Sequence, residues 1–477
     1  MLKIALSVAF FCSLTFGGEY EEWLKKQNNN YTQYKKSIDD EFRDMLKKDW
    51  ESFQTSMTPT IYKEPKPKEI PMVKKEVEVP KEVIKKSPIV EVKKIDEKPI
   101  IVEKPKVIEK PIKDPNFTNI KIDFYSQKLD FTIDKSYQFS LQSISNDSIS
   151  DSWDKLSKLE FSNFIDEIKK YKNSFALNDW ALYLMINKIA NELYNDQDKA
   201  NIFTWYTLVK MGYDVKVGYS KNEIYLMATV EQSLYQIPFF SLDQKRYYIL
   251  TPKGRLNNLG AIYTYEANYP NAKNQLSFDM NSKAIAIYTN EKTKLLSFQD
   301  NNQKYKINGS YSQDLIDFYK TFPQSEYQLY FNSQKSPFIN NSLLRSLKSL
   351  VEGKSEIEAV NLLLHFVQNG FSYKTDDEQF RYEKVFFPEE LLYYPYSDCE
   401  DRSIIFSYLV ENLLGLDVVG LKFEDHLATA VNFSSRIDGD SFLFEGKRYT
   451  ISDPTYINAN AGMTMPQYKN KQFEIIK

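Results

Sequence analysis

The sequence predicts an α+β chain built around two related domains, and three observations predict it. A stretch of 18 residues recurs further along at a fixed offset, each copy reads as a helical stripe followed by short alternating runs, and a proline-punctuated tract over residues 58–115 sets both copies apart from an N-terminal segment. At 477 residues the length alone asks for two or three folded units. The 62 basic against 65 acidic side chains leave a formal charge of −3, which offers no general attraction to nucleic acid or to an anionic membrane. Aromatics make up 15% of the chain. That would suit a stacking surface for sugars, and it equally follows from a bias towards Tyr, Phe, Asn and Lys.

Lys3, the apolar run Ile4 to Phe16 and the small residues around Thr15 and Gly17 read as a cleaved signal peptide over residues 1–17. The run is too short to span a bilayer, and nothing later reads as a transmembrane segment. The expected location is therefore periplasmic or secreted. Acylation at Cys12 would be the alternative, but Phe10 and Phe11 put bulky rings where a lipid-attachment motif wants small residues. Loss of the leader leaves Cys399 as the one remaining cysteine, in a compartment where an unpaired thiol is a liability.

Residues 18–57 interleave charges with Tyr20, Trp23, Leu24, Tyr31, Tyr34, Phe42, Met45, Leu46, Trp50 and Phe53, a narrow aromatic stripe at helical spacing. It is expected to dock either on an envelope partner or on the chain's own body. From 58 to 115 a Lys/Glu/Val/Ile tract carries Pro65, Pro67, Pro71, Pro80, Pro88, Pro99, Pro105 and Pro111. Such regular proline removes backbone donors and fixes φ, so the tract is expected to be an extended spacer rising about 3.1 Å per residue.

Beyond it, DKANIFTWYTLVKMGYDV (Asp198 to Val215) lies without a gap on DRSIIFSYLVENLLGLDV (Asp401 to Val418), and KRYYILTP (Lys245 to Pro252) matches KRYTISDP (Lys447 to Pro454) at nearly the same offset. Two blocks at one offset indicate a duplication, residues 116–255 being the first copy and 341–477 the second. Between them, QLSFDM, KAIAIYT, KLLSFQ, KYKING and YQLYFN alternate in the manner of strands, so 256–340 is expected to be a small β-rich connector. The stripe Ile357, Val360, Leu364 and Val367 then predicts a helix ending at Asn369-Gly370. His365 lies on that helix among Leu363, Leu364 and Phe366 with no partner motif, and reads as structural.

Cys399 stands in YPYSDCEDRSIIFSYLVENLLG, where Ile404, Ile405, Leu409 and Leu413 make a helical stripe and Ser397 or Asp398 can cap it. The thiol thus falls in the first turn, where backbone N–H groups and the helix dipole favour a thiolate. His426 follows after 27 residues and Asp453 after 27 more, each at the end of a short strand. Asp453 holding Nδ1–H of His426 would leave the other ring nitrogen to take the Cys399 proton. The first copy places Asp196 at the position of Cys399, Thr251 at that of Asp453, and Glu223 to Leu226 around that of His426, so it has none of the three. It is expected to be a degenerate homologue kept for packing or substrate recognition.

The motifs FPEELLYYPYSDCEDRS, DHLATAV and ISDPTYINANAGMTMP, from about Leu362 to the end, resemble the bacterial transglutaminase-like superfamily. The Asp-Cys-Glu-Asp core is similar to that of its periplasmic cysteine proteinases. The resemblance implies a papain-like cysteine hydrolase fold, acyl transfer to water or an amine, and calcium as an optional cofactor, none being required. Three carboxylates, Asp398, Glu400 and Asp401, surround a thiol that must ionise. A calcium ion on Asp398 and Glu400 would offset them, with Asp401 paired to Arg402 or capping the helix. The Cys399 N–H is the first expected oxyanion donor, and Gln368, Tyr394 and Tyr396 are candidates for the second.

These readings favour an exported peptidase or amidase acting on a protein or peptidoglycan peptide through a Cys399-His426-Asp453 triad. The alternatives are a crosslinking transglutaminase and a non-catalytic tethered scaffold.

Overall fold

A computed structural model describes residues 2–48, 50–61, 66–73, 116–280, 288–300 and 303–477, without the side chains of 2–19 and 21. It is a mixed α+β structure with a nearly closed seven-stranded antiparallel barrel and a curled five-stranded half-barrel. Among the described residues, no helix is long and apolar enough to cross a membrane. The side chains of the expected signal peptide lie outside the described residues, as do the spacer from 74 to 115 and most of the KAIAIYT run.

The two copies are built alike. In the first, the helix Gln197–Lys210 leads into strands Val215–Ser220, Glu223–Ala228, Pro238–Leu242 and Lys245–Leu250. In the second, Cys399–Leu414 leads into Val418–Lys422, Leu427–Val431, Ser441–Phe444 and Lys447–Ile451. Both sheets place these four strands in the same spatial order: first, second, fourth, third. Matched side chains also repeat their contacts. Lys245 pairs with Asp214, and Lys447 pairs with Asp417 at the corresponding positions. Gly212 and Gly415, matched in sequence, both turn the chain with positive φ just past the helix, where a Cβ would be strained.

One expectation about organisation is decided and two need correction. Of the two dockings open to the N-terminal segment, the structure shows the one on the chain's own body: the helix Leu2–Leu46 buries Ile38, Phe42 and Leu46, and Trp50 follows them into the same core. The strands Glu51–Gln54 and Ser56–Met57 then form both outer edges of the seven-stranded sheet. An amphipathic end with ring-bearing side chains gains more by burial than by solvation. Only the other half of the stripe faces solvent, with Tyr20, Trp23, Tyr31 and Tyr34 exposed.

Residues 256–340 are not a uniform β connector. Ala261–Thr264 joins the large sheet, and KLLSFQ and KYKING form the hairpin Glu291–Asp300 with Gln303–Ser312, as expected. The run YQLYFN is instead the helix Tyr327–Phe331, preceded by Gln313–Tyr319. Its Leu329, Tyr330 and Phe331 are all buried, so it lacks the one-sided burial that the alternation implied.

The spacer, finally, is not all solvated: residues 66–73 lie against the second copy, with Lys66 buried and Ile70 and Val73 packed on its core. Pro67 and Pro71 restrict φ on either side of a bend at Lys68 and Glu69, and such a chain can follow a folded surface as readily as it can span solvent.

Candidate active site

Cys399 opens the helix Cys399–Leu414, and the reason is local. Asp398 and Asp401 form a reciprocal cap, each carboxylate accepting from the other's backbone N–H. Asp401 thus caps and also accepts from Phe386 N–H at 2.9 Å. It does not pair with Arg402, whose guanidinium donates to the carbonyl of Phe371 at 2.7 Å and to Ser397 Oγ at 3.4 Å.

His426 lies just before the strand Leu427–Val431, and Asp453 two residues past Lys447–Ile451, on neighbouring strands of one sheet. Their side chains meet, with Nε2 of His426 2.9 Å from Oδ2 of Asp453. This reverses the nitrogen assignment expected from sequence. Among the described residues, Nδ1 has no hydrogen-bond partner, and the Cys399 thiol lies near enough to raise the ring's basicity. Burial opposes the imidazolium, but Asp453 and then Cys399 override it, pushing His426 up to about 10. All three side chains are buried.

Gln368 was a candidate oxyanion donor. Its amide is already committed, donating to the carbonyls of Asp453 at 3.1 Å and Ala459 at 3.0 Å and accepting from Asn458 N–H at 3.0 Å. It positions the loop that carries the acid. Tyr394 packs against Phe386 and Phe380, and Tyr396 lies exposed beneath the Lys374 ammonium. The tyrosine whose strand runs beside Cys399 is Tyr373. Strand Ser372–Tyr373 pairs in parallel with Tyr396–Ser397, next to Cys399. Burial first and the nearby thiol next raise the Tyr373 phenol well above its ordinary range, so it stays a donor. Its hydroxyl donates to the carbonyl of Pro67 at 2.6 Å.

The feature with no counterpart in the sequence reading is Lys66. Its ammonium is enclosed by Asp398 at 2.8 Å, Glu383 at 2.6 Å, Asp376 at 3.4 Å and Glu400. The other Glu400 oxygen accepts from Cys399 Sγ at 3.3 Å. Burial first and mutual repulsion second push Asp376, Glu400 and Asp401 well above the ordinary carboxylate range, with Lys66 opposing. Burial works against the ammonium as well, but Asp376, Asp398, Glu400 and Glu383 outweigh it and hold Lys66 charged. The positive charge that three carboxylates beside a thiol demand is therefore supplied within the chain. Carboxylate oxygens of Asp376, Glu383 and Glu400, and of Asp376, Asp398 and Asp401, also lie close enough to share one ion. Hard oxygen donors are of the kind calcium takes, but each group offers three of the about six to eight it needs, the expected pair Asp398 and Glu400 falls in different groups, and the Lys66 ammonium would have to withdraw. No sequence signal singled out Lys66 among the many lysines of the tract.

His365, read from sequence as structural, pairs with Asp300 on the hairpin. In the first copy, Asp196 caps the helix Gln197–Lys210, where the second copy has its thiol. A cavity of about 320 Å³ beside it is lined by Asn187, Lys188, Asn191, Gln197, Tyr125 and Pro252. No known protein family, curated protein or solved structure matches this chain.

Proposed function

We propose that the chain is an exported thiol hydrolase, a peptidase or amidase acting on a protein or peptidoglycan peptide, with the second copy catalytic and the first a degenerate partner. The observation that carries this reading is His426 held at Nε2 by Asp453, with Nδ1 left for the thiol at a helix N-terminus. A ring pushed up to about 10 is held protonated, the form that can give a proton to a leaving amine. The Cys399 thiolate adds to an amide carbonyl, and the resulting oxyanion takes the Cys399 N–H and the Tyr373 hydroxyl. His426 then gives its Nδ1 proton to the leaving amine as the thioester forms. Water, deprotonated by the same nitrogen, cleaves the thioester and restores the thiol. Calcium bound by the carboxylates in place of Lys66 would supply positive charge beside the nucleophile.

The full burial of Cys399 favours a second reading, a tethered scaffold with a vestigial triad. Incubation with a peptide p-nitrophenyl ester and intact-mass spectrometry separates the two. A hydroxylamine-sensitive acyl adduct on Cys399, absent in His426→Ala, is the expected result. An unmodified thiol in a variant shown to admit iodoacetamide at Cys399 would leave the scaffold. A lysine analogue added during turnover tests crosslinking, since transamidated product would replace hydrolysed product.

A further inference from the structure

Residues 66–73, Lys-Pro-Lys-Glu-Ile-Pro-Met-Val, touch the catalytic domain at points that bracket the triad. Lys66 fills the carboxylate pocket beside Cys399. Pro67 presents its carbonyl to the Tyr373 hydroxyl. Ile70 and Val73 pack on the cluster that contains Phe423, Tyr456 and Tyr468, the last stacked on the His426 ring. Val73 N–H donates to the carbonyl of Ile457 at 3.0 Å, just beyond Asp453. The chain thus runs from the nucleophile's side of the site to the acid's side.

We propose that this surface binds a peptide whose lysine side chain enters the carboxylate pocket, and that residues 66–73 are a tethered pseudosubstrate occupying it.

The proposal rests on the hydrolase reading for its substrate, but the binding mode stands on its own contacts. Four carboxylates converge on one nitrogen, which suits a compact ammonium better than a planar guanidinium. A peptide carbonyl already lies on the phenol that would donate to a substrate carbonyl. Main-chain pairing at Ile457 is indifferent to sequence, so selectivity falls to the pocket. Lys66 held protonated has no lone pair with which to attack a thioester, so it acts as an occupant and not as an acyl acceptor. Pro67 and Pro71 restrict the segment's backbone in advance, which lowers the entropic cost of seating it.

The test uses the full mature chain in EGTA and follows iodoacetamide labelling of Cys399 by mass spectrometry. Lys66→Ala empties the pocket. Ile70→Asp breaks the packing and leaves the carboxylates alone. Both variants should label at least about tenfold faster than the parent with an unchanged far-UV spectrum. The free peptide KPKEIPMV, added in trans, should slow them back towards the parent rate, whereas the same peptide with its first lysine replaced by alanine should not. A Cys399→Ser, Ile70→Asp variant should bind fluorescein-labelled KPKEIPMV, read by anisotropy, with no chemistry involved. Labelling that stays at the parent rate in both variants, or that no peptide slows, overturns the strap. Accelerated labelling that unfolding explains would be insensitive to the peptide and would count against it equally. Fast, peptide-sensitive labelling without any acyl adduct would instead defeat the hydrolase reading while leaving the pocket and its occupant in place.

Discussion

At the scale of single residues, the site is governed by how buried charges are compensated. His426 is buried, yet it is held basic by Asp453 and Cys399. Its value in the fold, about 10, lies above the ordinary 6.5, so it contributes stability that is complete below pH about 6.5 and is lost as pH rises towards about 10. Thermal melts of the parent between these limits should decline by an amount that His426→Gln lacks, and Asp453→Asn should shrink it in the same direction. A difference between parent and variant that is constant across this window would mean that the imidazole is neutral in the fold. Gln368, read from sequence as a candidate oxyanion donor, instead holds the loop of Asp453 through the carbonyls of Asp453 and Ala459 and so belongs to this network.

At the scale of elements, the helix Leu2–Leu46 shows how a stripe is divided between interior and surface. Phe42 is almost wholly buried and meets Trp153, Trp205, Tyr265 and Tyr269. Phe42→Ala removes a ring from a close-packed aromatic cluster, and denaturant unfolding should register a loss of about 3–5 kcal/mol. Tyr31→Ala, on the exposed half, should change stability by less than about 0.5 kcal/mol. Comparable losses at both positions would contradict the docking described. The helix was legible because its apolar spacing is regular. Which half would be buried was not, since the partner rings come from residues more than 100 positions away.

At the scale of the molecule, the two copies are not separable lobes. Val385, Phe387, Cys399, Ile404 and Leu427 of the second copy belong to the same buried cluster as Trp153 and Trp205 of the first. Phe387 stacks on Tyr319 with centroids 4.1 Å apart, and the hairpin strand passes so close that a Cβ on Gly309 would meet Leu392 at 2.8 Å. Residues 341–477 expressed alone should therefore expose this shared core, bind a hydrophobic dye and melt without a cooperative transition, whereas 288–477 should remain incomplete for lack of the first copy's rings. A sharp, reversible melt of 341–477 would show instead that the boundary drawn from sequence is a true domain boundary.

The sequence by itself determined the local and the periodic. It located the helix that begins at Cys399 with a cap at Ser397 or Asp398, of which the structure shows Asp398, the strands that carry His426 and Asp453, the hairpin runs, and a repeated pair of blocks. These follow from spacing, turn chemistry and self-comparison, all of which are written within a few residues or a fixed offset. The tertiary structure alone decided which ring nitrogen of His426 meets Asp453, that Gln368 holds a loop while the Tyr373 hydroxyl meets the Pro67 carbonyl, and that Lys66, more than 300 residues upstream of Cys399, is the cation among its carboxylates. Charge compensation in a buried site depends on distance in space, and a lysine in a proline-rich tract carries no local mark of where the chain will take it.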